Sequence, residues 1–302
     1  MNQMQKSRER APKKLGAMID EIARKATEEM SKAAGKFLNE ELDDNEHTVE
    51  QVKAIIDIFP ESLSQVDGFG NLPIHNAAMS EGDSAASTSV SFVPLMAREG
   101  CRLGVGGESN RGGLLSPFRH KNGQTCKTIQ YLVSQKFKGP ATNEYGDRKR
   151  AQALEELRNL NMLMKDDIQE NCLVLWALYP DCQQRFDFFT SWNPECLRPG
   201  YLGMEERVPI HYALIYADDN DEKRFEMALK AGMQYFPEEL GFLFCTCQNI
   251  TAIKRAFDKF GFDTAMNIMR KCIPPTSFFI VPLSMHLIWW ITLPNTTLMP
   301  CF

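Results

Sequence analysis

The stretch DGFGNLPIHNAA, Asp67–Ala78, decides how the rest of this chain is read. It opens on a turn: Asp67 can accept backbone N–H groups, and Gly70 can take a positive φ. Pro73 suits the first turn of a helix, where its missing N–H costs nothing. His75 follows, then Ala77 and Ala78, small enough for a neighbouring helix to come close. A histidine in such a loop is either a catalytic group, needed once, or part of a structural unit that should recur.

It recurs. VPIHYAL (Val208–Leu214) repeats LPIHNAA with Pro209, Ile210, His211 and Ala213 in the same places. TAIKRAF (Thr251–Phe257) is a third form, with Ala252 for the proline and Lys254 for the histidine. Pro73 and Pro209 stand 136 residues apart, four periods of 34. The flanking parts recur as well. Thr48 and Gln51 form a T-x-x-Q capping box. The helix it starts carries Val52, Ile55, Ile56 and Phe59 on one face and stops at Pro60, in IIDIFPESL. RFEMALKAGMQYFPEEL (Arg224–Leu240) is an amphipathic helix ended by the same Phe-Pro-Glu, and LWALYPD (Leu175–Asp181) is a weaker copy. Repetition of this kind fits a packing problem solved several times.

With those residues in place, DGFGNLPIHNAA resembles the ankyrin-repeat consensus D-x-x-G-x-T-P-L-H-x-A-A. Asp67, Gly70, Pro73, His75, Ala77 and Ala78 match it, Leu72 stands for the threonine and Ile74 for the leucine. The second copy has Val208 at the threonine position, and the third keeps the threonine without the histidine. Asn110–Gln135 reads as a distorted repeat, with KTIQYLVSQ as its outer helix. The resemblance spans roughly residues 46–274 and implies an all-α, ankyrin-like helical repeat solenoid with irregular units and a long glycine-rich finger. It implies that His75 and His211 hydrogen-bond backbone across neighbouring loops. It also implies protein binding on the fingers and the concave inner-helix face. Aligning the copies puts Asn76, Met79 and Ser80 on that face in one unit, and Tyr212, Ile215 and Tyr216 in another. Tyrosine is favoured at interface centres.

Composition agrees with a folded intracellular chain. Of 302 residues, 43% are apolar, enough for a core, and the net charge of −5 argues against wholesale nucleic-acid binding. Nine cysteines, an odd number and widely spaced, read as free thiols of a reducing compartment, so a cytoplasmic location is expected. No signal peptide is read in the polar first fourteen residues.

The two ends differ from the middle. In residues 1–45, Leu15, Ile19, Ile22, Ala26, Met30, Ala33 and Phe37 form one apolar stripe on a helix. That stripe packs on the domain, pairs with a partner helix, or frays. The tail, 275–302, holds FFIVPLSMHLIWWITL (278–293) and no charged side chain. It reads as a tail anchor, as a terminal element buried on the last repeat, or as sequence that is not native coding sequence, because the repeat pattern stops abruptly after KCIPP. Residues 278–293 are the expected route to a membrane, although Pro282 and His286 interrupt them and a bilayer needs about twenty apolar residues.

Each candidate motif for chemistry has a plainer reading. LGVGGESNRGGLL (Leu103–Leu115) lacks the Gly-Lys-Ser/Thr of a P-loop, so it reads as a finger, with Gly100 the C-terminal stop of the preceding helix. Cys245-Thr-Cys247 has no second pair to complete a zinc site. His47, His120 and His286 stand apart from any nucleophile motif. Trp192 reads as a core anchor, and the runs KDD, DDNDEK and GDRKR as solvated loops. The expectation is a non-enzymatic scaffold or adaptor without cofactor or metal, whose partner is another protein. The alternatives are a membrane-tethered adaptor and an enzyme with an unrecognised site.

Overall fold

The structure, a computed structural model, describes residues 2–79, 89–119, 123, 125–135, 140–178, 182–200, 208–215 and 221–274; for 2–14 and 140–143 it describes the backbone course alone. The described chain is mostly helical, with two short hairpins. It divides into two compact units, Met1–Leu132 with Gln152–Met162, and Val133–Ala151 with Leu163–Phe302.

The first unit opens on α1 (Asn2–Lys36), which runs into a π-helical turn at Phe37–Glu41. Helix α2 (Val49–Ile58) starts at the expected capping box: Thr48 accepts the Gln51 N–H, and the Gln51 side chain accepts the Thr48 N–H. A 3-10 turn at Pro60–Ser64 and the Asp67–Gly70 turn lead to α3 (Pro73–Met79), then α4 (Val93–Leu103). Strands β1 (Pro117–Arg119) and β2 (Thr125–Lys127) pair antiparallel, with Phe118 opposite Cys126. Helix α5 (Thr128–Ser134) follows directly, and α6 (Pro140–Asn159) crosses the division between units.

The second unit continues with α7 (Lys165–Glu170), α8 (Leu173–Leu178), α9 (Gln183–Trp192), α10 (Pro209–Ile215) and α11 (Asp221–Tyr235). A hairpin of β3 (Thr246–Cys247) and β4 (Ile250–Thr251) then feeds α12 (Ala252–Phe260) and α13 (Phe262–Cys272). Helices α8 and α9, α10 and α11, and α12 and α13 pack as pairs. Each pair also meets the next: α10 packs on α8 and α12, and α11 on α9 and α13. The short helices share a pattern. A branched residue fills the second position and is buried in each: Ile74, Ile129, Val174, Ile210 and Ile253. The fifth position is also buried: Ala77, Leu132, Ala177, Ala213 and Ala256. By this pattern α5 belongs with the short helices, and not with the outer helices where KTIQYLVSQ was expected.

Three long helices end in the same way. Phe59, Asn193 and Phe236 each leave the helix with φ between −127° and −143° and ψ between 58° and 82°. Each still donates its N–H to the carbonyl four residues back, and each precedes Pro-Glu. Proline disfavours α-helical geometry for the residue before it, and it opens the 3-10 turn after it. The third turn of this form is therefore Pro194-Glu195-Cys196-Leu197. Pro180, where LWALYPD placed it, lies outside the described residues.

Four other expectations are corrected. Gly100 does not stop α4, which continues to Leu103 and ends at Gly104 in the left-handed region. Gly100 instead lets the chain cross the helix: a Cβ there would sit 2.8 Å from the Gly112 carbonyl oxygen. The glycine-rich stretch is thus folded back on α4 in successive turns. The second unit repeats the device, where a Cβ on Gly232 in α11 would sit 2.8 Å from Gly241 Cα.

Of the three readings of the α1 stripe, packing on the domain holds only at its end, where Phe37 meets the His47 ring at 4.9 Å. Leu15, Met18, Ile19, Ile22 and Met30 are each more than half exposed, while Ser31, Ala34, Gly35 and Leu38 are buried. The packing face is chosen by the loop that meets the last turns of the helix, where the Gln65 amide donates to the Ser31 carbonyl and hydroxyl. The charged runs lie on helices where they are described, and each has a buried aspartate, although Lys165, Asp166, Arg148, Glu222 and Lys223 are exposed and 218–220 lie outside the described residues. Asp147 in α6, Asp167 in α7 and Asp221 in α11 are all buried. Asp167 caps α7 by accepting the Met164 N–H at 2.7 Å. Asp221 pairs with Lys259 at 2.6 Å and with Arg224 at 3.4 Å. Trp192 is half-buried and tilted on Phe188 instead of sitting in the core.

Candidate partner-binding face

The DGFGN turn is held by its aspartate. Asp67 Oδ1 accepts the N–H groups of Phe69 and Asn71 at 2.8 and 2.9 Å, and Gly70 takes φ 83°. Burial opposes ionisation of Asp67, but the donors from Asn71, Asn76 and Phe69 outweigh it and hold the carboxyl below its ordinary range. The Asn76 side chain is committed inward. Its amide donates to Asn39 Oδ1 at 2.9 Å and to Asp67 Oδ2 at 3.0 Å, tying α3 to the π-helical turn.

The two repeated histidines solve different problems. His211 Nε2 lies 2.9 Å from the Cys245 carbonyl, 34 residues further along, so this nitrogen carries the proton and donates across to the next loop. His75 does not reach a neighbouring loop. Its Nδ1 accepts the Leu72 N–H from its own turn at 3.1 Å, and its ring stacks on Phe118 at 4.8 Å. Both rings are buried, and each leaves one nitrogen without a partner among the described residues. Burial pushes the His75 pKa down to about 4, with Asp67 opposing the shift. Burial also lowers that of His211; the Cys245 carbonyl opposes the shift and the Arg255 charge adds to it. Both histidines are therefore neutral packing groups at neutral pH.

Of the residues expected on the inner face, Met79 and Tyr212 are half-buried and Ile215 is exposed. Ser80 and Tyr216 lie outside the described residues, as do His120 and His286. Two further residues share Tyr212's register: Trp176, fourth in α8, and Arg255, fourth in α12, both half-buried. The third copy, TAIKRAF, already aligns Arg255 with Tyr212, while Trp176 adjoins no such motif. Aligning the short helices by their buried second and fifth positions would have found Trp176 as well.

The remaining candidates have plain structural roles. Burial pushes the Cys245 thiol up to about 12, with Cys247 adding to the shift. Among the described residues, no group of three or more His, Cys, Asp or Glu could hold a metal ion. Lining residues from α9 and α11 form a cleft of about 380 Å³, with Asp187, Phe188, Lys230 and Tyr235 among them. Two of the hydroxyls there donate within their own helix: Thr190 to the Phe186 carbonyl and Ser191 to that of Phe188. No helix among the described residues is long and apolar enough to cross a membrane, and residues 278–293 lie outside them. No protein-family model, no curated protein and no solved structure matches the chain.

Proposed function

We propose that this chain is an ankyrin-like helical-repeat scaffold that binds another protein, through the face formed by its short helices. What carries the reading is the tie from His211 to the Cys245 carbonyl, 34 residues on. It sits in a unit where α8–α9, α10–α11 and α12–α13 pack pair upon pair. A stack of this kind buries one side of each short helix, and Trp176, Tyr212 and Arg255 stand half-buried at one shared register. Large amphipathic side chains at that register favour binding, because Trp, Tyr and Arg dominate interface energetics.

The test is capture from a native extract with the tagged full chain, beside a folded variant carrying Tyr212→Arg and Ile215→Arg. The reading expects a stoichiometric protein recovered by the parent and lost by the variant. Equal recovery by both would place binding elsewhere, and no specific protein with either would remove the scaffold role.

A further inference from the structure

Arg255 is the residue of this face whose charge is least compensated. Its Nη2 donates to the Cys247 carbonyl at 3.2 Å, and its Nε is buried with no acceptor among the described residues. Its basic neighbours on α12 are occupied: Lys254 by Asp258 at 2.8 Å, Lys259 by Asp221 at 2.6 Å. His211 beside it is held neutral by burial and by the Arg255 charge, so it adds no second cation. The result is one half-buried guanidinium, anchored by a single carbonyl, in line with Tyr212 and Trp176 along α12, α10 and α8.

A guanidinium is a planar fork of donors whose geometry matches a carboxylate, and such charge-assisted pairs are stronger than neutral ones. Partial burial raises that advantage by thinning the water around the charge. The aromatic groups at the same position of α10 and α8 present flat apolar area at low entropic cost. Opposite charge and an apolar neighbour together define the complement.

We infer that this face takes an acidic–apolar segment of a partner protein, with a carboxylate on the Arg255 guanidinium and an adjoining apolar or aromatic side chain against Tyr212 and Trp176. The inference rests on the inner-face reading above and narrows it to a partner chemistry.

The experiment selects a displayed library of random peptides on the full chain and measures the enriched peptides by fluorescence anisotropy. Enriched peptides should share an Asp or Glu close to Trp, Phe or Leu. Arg255→Gln and Trp176→Ala should each weaken them by about tenfold or more. Arg255→Glu should regain binding when the peptide carboxylate is replaced by lysine. Peptides without a shared acidic residue, or indifferent to Arg255→Gln, would overturn the inference. If those peptides still lost binding with Tyr212→Arg, the inner-face reading would survive it; if no peptide depended on Tyr212 or Trp176, both would fall. A single-stranded oligonucleotide competing at the same face would also overturn it. Arg255→Lys keeps the charge and stem and removes the fork. It serves if Arg255→Gln fails to fold, and an undiminished affinity there would equally contradict the proposal.

Discussion

Asp147 and Arg185 form a buried ion pair, Oδ1 to Nε at 2.7 Å, between α6 and α9. The other carboxylate oxygen accepts the Gln184 N–H at 2.9 Å, so one aspartate both neutralises the arginine and caps the helix that carries it. The guanidinium also donates to the carbonyls of Val133 and Gln135. Removing one partner would strand a buried charge. Asp147→Ala should cost about 3–5 kcal/mol in denaturant unfolding, and the double change Asp147→Leu with Arg185→Met should recover part of it. A loss within about 1 kcal/mol for the single variant would mean that water reaches the pair.

Glycine inside a helix usually weakens it, and alanine there gains about 0.5–1 kcal/mol. Gly16 in α1 has open space around its missing Cβ, so Gly16→Ala should show that gain. Gly232→Ala should do the opposite and lose about 1–3 kcal/mol, because its Cβ would meet the Gly241 backbone at 2.8 Å and backbone cannot step aside cheaply. The same sign is expected for Gly100→Ala against Gly112. Thermal melts of the three variants decide it; a stabilised Gly232→Ala would remove the close crossing from the account.

His75 makes stability depend on acid. Its pKa is about 4 in the folded chain against an ordinary value of 6.5, so the unfolded chain binds its proton first. Its contribution is fully present above pH 6.5 and drains away as pH falls toward 4, on the order of 2–3 kcal/mol over that window. His211, lowered in the same direction, adds to the same acid loss. Chemical denaturation at a series of pH values should show this slope in the parent and a flatter one in His75→Gln. Identical slopes would show that the ring is solvated.

What was legible in the sequence was local. The Thr48–Gln51 box, the stops at Pro60 and Pro237, and helix starts at Pro73 and Pro209 all rest on residues that set their own backbone. What was illegible depended on distant partners. GDRKR looks solvated because the arginine that buries Asp147 is 38 residues away. Gly100 looks like a stop because nothing nearby announces that Gly112 will cross it. On α1 the regular apolar stripe outshone Ser31, Ala34 and Gly35, whose burial is set by the loop holding Gln65. The candidate face was partly legible: the repeat copies set Tyr212 and Arg255 at one register, while Trp176 needed the packing.

Site-specific photo-crosslinking tests the central claim most directly. A benzophenone side chain would be placed at Tyr212 on α10 or at Gln234 on α11, and the full chain irradiated in native extract. The account predicts a discrete protein adduct from position 212 and none from position 234. An adduct from 234 with none from 212 would put the partner on the outer helices and contradict the inner-face reading.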